Sequence, residues 1–320
     1  MQKILQQSLI AATFISLSYS IFAQPFAYVP NEKDGTVSVI DTTTDEVIKQ
    51  FPSKGRLGKK VQAAAIHPTN QKLYVVVRDK NAVAVVDIAK GKQTALIKVG
   101  DEPEGIDISP DGKLLAACLE EENAVALVDL NTNKVKHTIA TQGKNPEHCV
   151  FSPDQQWLLA SNEESNNVDV INLKSLKSEH LIAATKHPRG VGFSPDGQWA
   201  YVANEAASLL EIVSTSDWKV QSNIKVGLRS NGVKVNADGS RIYVSNGGDH
   251  NVSVIDSTTR QVIATIDVGQ RPWNMALTPD GKKLYVANGR SNNVSVIDTQ
   301  TNTRLKEIAV GNLPWGVVIH

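Results

Sequence analysis

The sequence has very few cysteines, only Cys118 and Cys149 in 320 residues. Neither belongs to a Cys-x-x-Cys or Cys-x-x-Cys-His segment. Nothing therefore suggests a disulfide framework, a thiolate zinc site or covalently attached haem c, and no cofactor is predicted. The simplest interpretation of the pair is two small buried hydrophobic side chains, and a bridge between neighbouring repeats is the alternative.

The chain also lacks an excess of charge, because 33 basic residues balance 33 acidic ones. Nucleic acids and anionic membrane surfaces select basic proteins, so neither is expected as the main partner. Beyond the first residues no stretch is long and apolar enough to predict a membrane span.

The first 23 residues, MQKILQQSLIAATFISLSYSIFA, combine Lys3 with a mostly apolar stretch from Ile4 to Phe22. This pattern predicts a secretory signal peptide cleaved after Ala23, and an N-terminal membrane anchor is the alternative. We therefore expect the mature chain, residues 24–320, to be periplasmic or secreted and to be a monomer.

One phrase, of the form VSVID, recurs seven times at a nearly constant spacing. Its copies end at Asp41, Asp87, Asp129, Asn172, Ser214, Asp256 and Asp298. The successive gaps are 46, 42, 43, 42, 42 and 42 residues, so seven units account for essentially all of residues 24–320.

Each unit contains four short segments of β type. In the last complete unit they are WNMALT, KLYVAN, VSVID and TRLKEIAV, separated by turn sequences such as TPDG. Four antiparallel strands at a period near 42 residues are typical of a propeller blade, and roughly four to eight blades close a ring. We therefore predict an all-β fold, a single seven-bladed β-propeller domain over residues 24–320.

The two ends of the chain supply complementary pieces of one unit. FAYVPN near the start matches a second strand, and PWGVVIH at the end matches a first strand. We expect the C-terminal strand, within Trp315 to Ile319, to join the N-terminal blade formed by residues 26–29, 36–40 and 46–51. Such a composite blade closes the ring and removes its free edges.

The strings KLYVAN, AYVAN, IYVSN and AYVPN, followed by VSVID and TPDG, resemble the YVTN family of β-propeller repeats. The segments AYVPNEKDGTVSVIDTTTDEV and EPEGIDISPDGK are similar to a periplasmic group found alongside PQQ-dependent alcohol oxidation systems. This resemblance implies a role near quinoprotein and cytochrome oxidation and implies no catalytic residues. Leu115 and Leu159 replace the motif tyrosine in two copies. We therefore interpret the tyrosine of the motif as a packing residue and its asparagine as a turn residue.

One repeat position varies from blade to blade beside a nearly constant proline. It lies where the innermost strands of a propeller begin, at the channel mouth. In chain order it holds Gln62, Glu104, Glu147, Arg189, Asn231, Trp273 and Trp315. Because an identical structural duty would select similar residues, this diversity predicts a ring that binds a ligand or a partner.

The chemistry of this ring allows two interpretations. Trp273 and Trp315 would stack a planar or hydrophobic ligand or anchor a protein, while Glu104, Glu147 and Arg189 would bind polar groups or a cation. In the alternative, the two tryptophans plug the channel and the charges are solvated.

The sequence contains candidates for a metal site, Glu104, Glu147, His148 and His187, but predicts none, because histidines in loops are usually just exposed. The segments Glu120 to Asn123 and Asn162 to Ser165 make one sector of the rim acidic. Such a sector would receive a basic partner, such as a c-type cytochrome, or form a solvated face.

These observations favour a non-enzymatic exported propeller that binds a periplasmic protein or a small ligand at the channel face. A lactonase- or lyase-type enzyme is the alternative, with Glu104, Glu147, His148 and Arg189 as its candidates. A propeller that binds haem noncovalently is the second alternative. The fold cannot choose among them, since propellers host many functions.

Overall fold

The structure, a computed structural model, describes residues 25–320. The predicted signal peptide, residues 1–23, lies outside the described residues. The described chain is almost entirely β-strand, with one 3₁₀ helix at Arg78–Lys80. Among these residues no helix is long and apolar enough to cross a membrane.

Twenty-eight strands follow one another along the described chain. The first fourteen are β1 (Phe26–Asn31), β2 (Thr36–Asp41), β3 (Glu46–Phe51), β4 (Val61–Ile66), β5 (Lys72–Val77), β6 (Ala82–Asp87), β7 (Lys92–Lys98), β8 (Pro103–Ile108), β9 (Leu114–Leu119), β10 (Ala124–Asp129), β11 (Lys134–Ala140), β12 (Pro146–Phe151), β13 (Trp157–Asn162) and β14 (Asn167–Asn172). The remaining ones are β15 (Lys177–Ala183), β16 (Pro188–Phe193), β17 (Trp199–Asn204), β18 (Leu209–Ser214), β19 (Lys219–Lys225), β20 (Ser230–Val235), β21 (Arg241–Asn246), β22 (Asn251–Asp256), β23 (Gln261–Asp267), β24 (Pro272–Leu277), β25 (Lys283–Asn288), β26 (Asn293–Asp298), β27 (Thr303–Ala309) and β28 (Val318–Ile319).

The strands form seven antiparallel four-stranded sheets, which are the blades. Blade 1 has the order β28-β1-β2-β3, and blades 2 to 7 each contain four consecutive strands, from β4–β7 to β24–β27. The predicted seven-bladed propeller is therefore confirmed. The first strand of each blade lines the central channel and the fourth lies at the outside.

The ring closes as the sequence predicted. Strand β28 pairs with β1 through Ala27 and Tyr28, and Pro314 forms an isolated bridge with Asn31. The backbone N–H of Trp315 donates to the carbonyl of Pro30 at 3.0 Å. The last ten residues thus supply the innermost strand of blade 1, so that β1 has a hydrogen-bonded neighbour on each side.

Local sequence explains the turns of each blade. In the SPDG turn, Oγ of Ser109 donates to Asp111 at 2.7 Å and accepts the N–H of Leu114 at 3.0 Å, while Gly112 adopts φ of +71°. In the turn after VSVID, Oδ1 of Asp298 accepts the N–H groups of Gln300 and Thr301. These side chains satisfy turn backbone that the strands cannot pair.

The core lies between adjacent blades, where Val, Ile, Leu and Ala side chains of facing sheets interdigitate. Tyrosines of the repeat motif, such as Tyr74 and Tyr285, are fully buried there. Cys118 and Cys149 belong to the cluster between blades 3 and 4, and neither forms a disulfide within the described chain.

Candidate functional site

The predicted ring residues all lie at one end of the channel. Six of them are the second residue of an innermost strand, and Trp315 holds the equivalent place, just before β28. A cavity of about 160 Å³ opens there, and six of the seven residues line it. They are Gln62, Glu104, Arg189, Asn231, Trp273 and Trp315. Glu147 is 3% exposed, and Arg189 Nη1 lies 2.9 Å from its Oε1. The structure thus brings these residues together at the channel mouth, and their role in binding stays a prediction.

A second set of varied residues, not predicted from the sequence, lies at the mouth. It occupies the position directly after the second strand of each blade. In chain order it holds Glu32, Arg78, Glu120, Glu163, Glu205, Gly247 and Gly289. This position holds five charged residues and two glycines, so it varies from blade to blade as the first ring does. Comparing the repeats copy by copy would therefore have identified it in the sequence.

The two glycines of this second ring make room for large side chains. A Cβ on Gly289 would lie 2.3 Å from Cζ3 of Trp273, and one on Gly247 would lie 3.1 Å from Cδ and Nη1 of Arg271. Arg271 itself precedes the proline of blade 7, has φ of +55° and lines the cavity. Trp273 and Arg271 thus fold over blades 6 and 7 because the second-ring positions beneath them carry no side chain.

The charged residues form two arginine-centred networks. Arg78 donates from Nη1 to Glu104 at 2.6 Å and from Nη2 to Glu120 at 2.5 Å, and it also pairs with Glu102. Arg189 pairs with Glu147, Glu163 and Glu205. The interpretation that the mouth charges are solvated is therefore wrong, because Glu104 and Glu147 are only 5% and 3% exposed.

The acidic rim is also less exposed than the sequence suggested. Glu120 is buried and Glu163 half-buried, and both point into the networks, whereas Glu121, Glu122 and Glu164 remain exposed. The solvated acidic face therefore consists of Glu121, Glu122 and Glu164 and does not include Glu120 or Glu163.

Burial and crowding perturb these carboxyl groups. Burial, reinforced by Glu104, raises the pKa of Glu120 to about 9 and raises the pKa of Glu147. Burial opposes ionisation of Glu163 as well, but contacts with Glu147, Arg189 and His187 lower its pKa to about 2. Glu32, which lines the cavity, has its pKa raised by burial and then by Glu104.

A waist lies directly below the mouth, at the third position of the innermost strands. Five blades have a small residue there, and the other two have His148 and Asn274. A Cβ on Gly105 or Gly190 would lie 2.3 or 2.1 Å from a backbone oxygen of the next blade, so the waist is tightly packed. The waist therefore admits only two larger side chains.

His148 and Asn274 meet across the channel. Nε2 of His148 lies 3.4 Å from Nδ2 of Asn274, and the imidazole stacks on Trp315 with ring centroids 5.5 Å apart. Burial lowers the pKa of His148 to about 4, so the ring is neutral at neutral pH. These three side chains line both the mouth cavity and a larger funnel below it, and they separate the two.

The funnel occupies the opposite end of the channel and has a volume of about 700 Å³. Small and apolar side chains line most of it, together with Asp107 and Lys234. Oδ2 of Asp107 accepts the N–H of Phe151 at 2.9 Å, and burial raises the pKa of Asp107 to about 6.

Besides Nδ1 of His148, two polar atoms of residues that line the mouth cavity have no hydrogen-bond partner among residues 25–320. One is Nη1 of Arg271, whose Nη2 donates to Glu205 at 2.8 Å. The other is Oε1 of Gln62, whose side chain is bonded to Glu32. Because buried polar groups are normally paired, an acceptor beside Arg271 and a donor beside Gln62 would satisfy these two atoms.

The candidate metal ligands are brought together only in part. Glu104, Glu120 and Glu147 each offer a carboxylate oxygen within 4.8 Å of the others. His148 Nδ1 lies 3.9 Å from Glu147 Oε2. His187 is placed apart from this group, with its Nδ1 3.1 Å from Glu163 and its side chain 44% exposed.

Comparison with known proteins gives a family model and several similar folds. The model described as lactonase, 7-bladed β-propeller, matches residues 19–138 and 172–313. A chain of hydrazine synthase from Kuenenia stuttgartiensis is 26% identical with a TM-score of 0.76, covering 85% of this chain and 92% of that chain. No curated protein matches the chain.

Two further structures are similar in fold alone. A functionally unknown protein from Desulfotomaculum acetoxidans is 18% identical with a TM-score of 0.81, covering 92% of this chain and 98% of its own. The dihydro-heme d1 dehydrogenase NirN in complex with DHE is 16% identical with a TM-score of 0.67, covering 92% of this chain and 74% of its own.

Proposed function

The chain belongs to the family of seven-bladed β-propeller lactonases, and on that basis we propose that its mouth cavity binds a small hydroxylated lactone and hydrolyses the ring ester. The single observation that carries this proposal is Nη1 of Arg271, a buried cationic donor that lines the cavity and has no acceptor among the described residues. A lactone carbonyl supplies that acceptor, and the oxyanion formed during hydrolysis supplies a better one.

The rest of the cavity narrows the ligand class. Oε1 of Gln62 requires a donor, which a ring hydroxyl of the ligand would provide. The indoles of Trp273 and Trp315 offer apolar faces for the ring carbons. A cavity of about 160 Å³ is smaller than the roughly 300–1,000 Å³ of drug-sized sites, which limits the ligand to one small ring.

Glu32 is the residue we assign as general base. Its carboxyl lines the cavity, and burial raises its pKa toward the working range of such a base. Ionised Glu32 takes a proton from water as the water oxygen attacks the carbonyl carbon. The bond from that carbon to the ring oxygen then breaks, and the proton passes to the departing alkoxide, giving an open-chain hydroxy acid.

The experiment measures acid release from five- and six-membered lactones, with and without ring hydroxyls, by the purified protein. Arg271→Gln should lower kcat/KM about 10²–10³-fold, as expected for loss of an oxyanion donor. Glu32→Gln should lower kcat and abolish the rise of activity with pH that ionisation of Glu32 produces. Arg229→Gln is the matched control, since Arg229 occupies the same repeat position and left-handed backbone in blade 6 but is exposed.

Two results would overturn the proposal. One is full activity of Arg271→Gln, and the other is a protein that hydrolyses none of the lactones. Binding of the lactone without hydrolysis would instead support the non-enzymatic small-ligand site expected from the sequence.

Export and a periplasmic partner are a separate proposal. The signal-like first 23 residues and the resemblance to YVTN propellers beside PQQ-dependent oxidation systems support it. Cell fractionation, followed by pull-down from periplasm with wild type and Trp273→Ala/Trp315→Ala, tests it. A cytoplasmic protein, or equal recovery of the partner by both forms, would refute it.

Noncovalent haem binding stays a prediction, and the size of the cavities restricts where in the channel a haem could bind. A tetrapyrrole needs more room than the mouth cavity has, so the funnel of about 700 Å³ is the part of the described channel that would take it. Visible absorbance of the purified protein after incubation with haemin is the measurement that checks it.

A further inference from the structure

We propose that the buried carboxylates Glu104, Glu120 and Glu147, called here the triad, bind one Ca²⁺ ion between blades 3 and 4. Glu104 lies on β8 and Glu120 directly follows β9, both in blade 3, and Glu147 lies on β12 of blade 4. The ion would therefore link the inner ends of two adjacent blades beside the mouth cavity. This proposal is independent of lactone hydrolysis.

The spacing of the triad suits a hard cation. One carboxylate oxygen from each residue lies within 4.8 Å of the other two, and the three residues are 5%, 7% and 3% exposed. Calcium takes oxygen ligands at about 2.3–2.6 Å, so oxygens that share one ion lie at most about 5 Å apart. The three oxygens therefore lie close enough together to share one ion.

An unpaired atom at the triad points independently to a ligand. Oε2 of Glu147 is buried and has no hydrogen-bond donor in the described part of the chain. Nδ1 of His148 lies 3.9 Å from this oxygen, beyond hydrogen-bond distance, and is also unpaired. Leaving a buried carboxylate oxygen without any partner is costly, and a cation would provide that partner.

The surrounding charge favours a cation as well. Seven carboxylates surround this part of the mouth, and the described cations near them are three arginines and Lys60. The guanidinium of Arg78 forms ion pairs with Glu104, Glu120 and the more exposed Glu102. Two members of the triad, Glu104 and Glu120, thus share one guanidinium with Glu102, and a divalent ion would supply the positive charge that lets the triad carboxylates lie together in the ionised form.

The test uses the full chain dialysed against EDTA. Calorimetric titration with CaCl₂ should show one site, and a Ca²⁺ concentration one hundred times Kd should raise Tm by roughly 5 °C. Tb³⁺ luminescence excited through tryptophan, and its displacement by Ca²⁺, gives a second measure that does not depend on stability.

Glu147→Gln and Glu120→Gln should each weaken Ca²⁺ binding at least tenfold, while Glu164→Gln, an exposed glutamate one residue beyond the second ring, should leave it unchanged. If Glu147→Gln does not fold, Glu120→Gln with the Tb³⁺ measurement decides. Absence of heat and of a Tm shift with Ca²⁺ would overturn the proposal. So would binding of Zn²⁺ but not Ca²⁺, or equal weakening by Glu164→Gln.

Discussion

Replacing Gly289 by alanine tests whether an empty repeat position holds Trp273 over the mouth. The added Cβ would lie 2.3, 2.6 and 2.8 Å from Cζ3, Cε3 and Cη2 of the indole, distances that real Cβ contacts do not reach. The backbone of Gly289 is outside the left-handed region, so alanine is strained only by this contact. Overpacking of this kind costs about 1–3 kcal/mol, because the indole must rotate or the strand must shift.

The assay is thermal and urea unfolding of four proteins: wild type, Gly289→Ala, Trp273→Ala and the double variant. The penalty of Gly289→Ala should largely disappear when Trp273 is already alanine, giving a coupling free energy of about 1–3 kcal/mol. Gly192→Ala is the control, since a Cβ there would meet only Cγ1 of Val233 at 3.6 Å.

The same variant has a functional consequence. Because the indole is displaced, the mouth cavity should change shape, and lactone binding should weaken together with stability. Equal penalties for Gly289→Ala in the presence and absence of Trp273 would refute the reasoning, since the cost would then arise from the backbone and not from the indole.

Two further predictions concern the funnel and the ring closure. Burial raises the pKa of Asp107 from 3.8 to about 6, so the folded state binds the carboxyl proton more tightly than the unfolded state does. The contribution of this proton to the free energy of unfolding is therefore complete below pH 3.8 and is lost as the pH rises through 6. Asp107→Asn, which still accepts the N–H of Phe151, should therefore be up to about 3 kcal/mol more stable than wild type at pH 8 and no more stable at pH 3.5, and urea unfolding showing equal stability at pH 8 would contradict this. Deletion of residues 311–320 removes the inner strand of blade 1 and should sharply lower Tm by circular dichroism, whereas an unchanged melt would disprove the closure.

The fold was predictable because the repeat carries it redundantly. Seven copies of one strand-and-turn pattern, each with period-two alternation, leave little freedom in choosing the architecture. Even the composite blade could be inferred, because FAYVPN and PWGVVIH are pieces of the same unit.

The site was predictable only in part. The first ring was visible because its residues vary beside a constant proline. Gly247 and Gly289 resemble ordinary turn glycines in the sequence, and nothing in the sequence shows that they lie under Arg271 and Trp273.

The ionic networks could not be predicted from the sequence, for a different reason. Which carboxylates Arg78 and Arg189 bind depends on distances between blades, and these follow from packing and not from spacing along the chain. The strands that carry His148 and Asn274 also have an irregular register at this point, which the residue spacing does not reveal.

The most direct measurement is a crystal structure of the protein soaked with the open-chain hydroxy acid of the lactone that it binds best. We predict the acid's carboxylate within hydrogen-bond distance of Arg271 Nη1 and a hydroxyl beside Gln62 Oε1, with the carbon chain against Trp273. Density for the acid in the funnel below His148, or an Arg271 that contacts nothing in the soaked crystal, would contradict the assignment of the mouth as the ligand site.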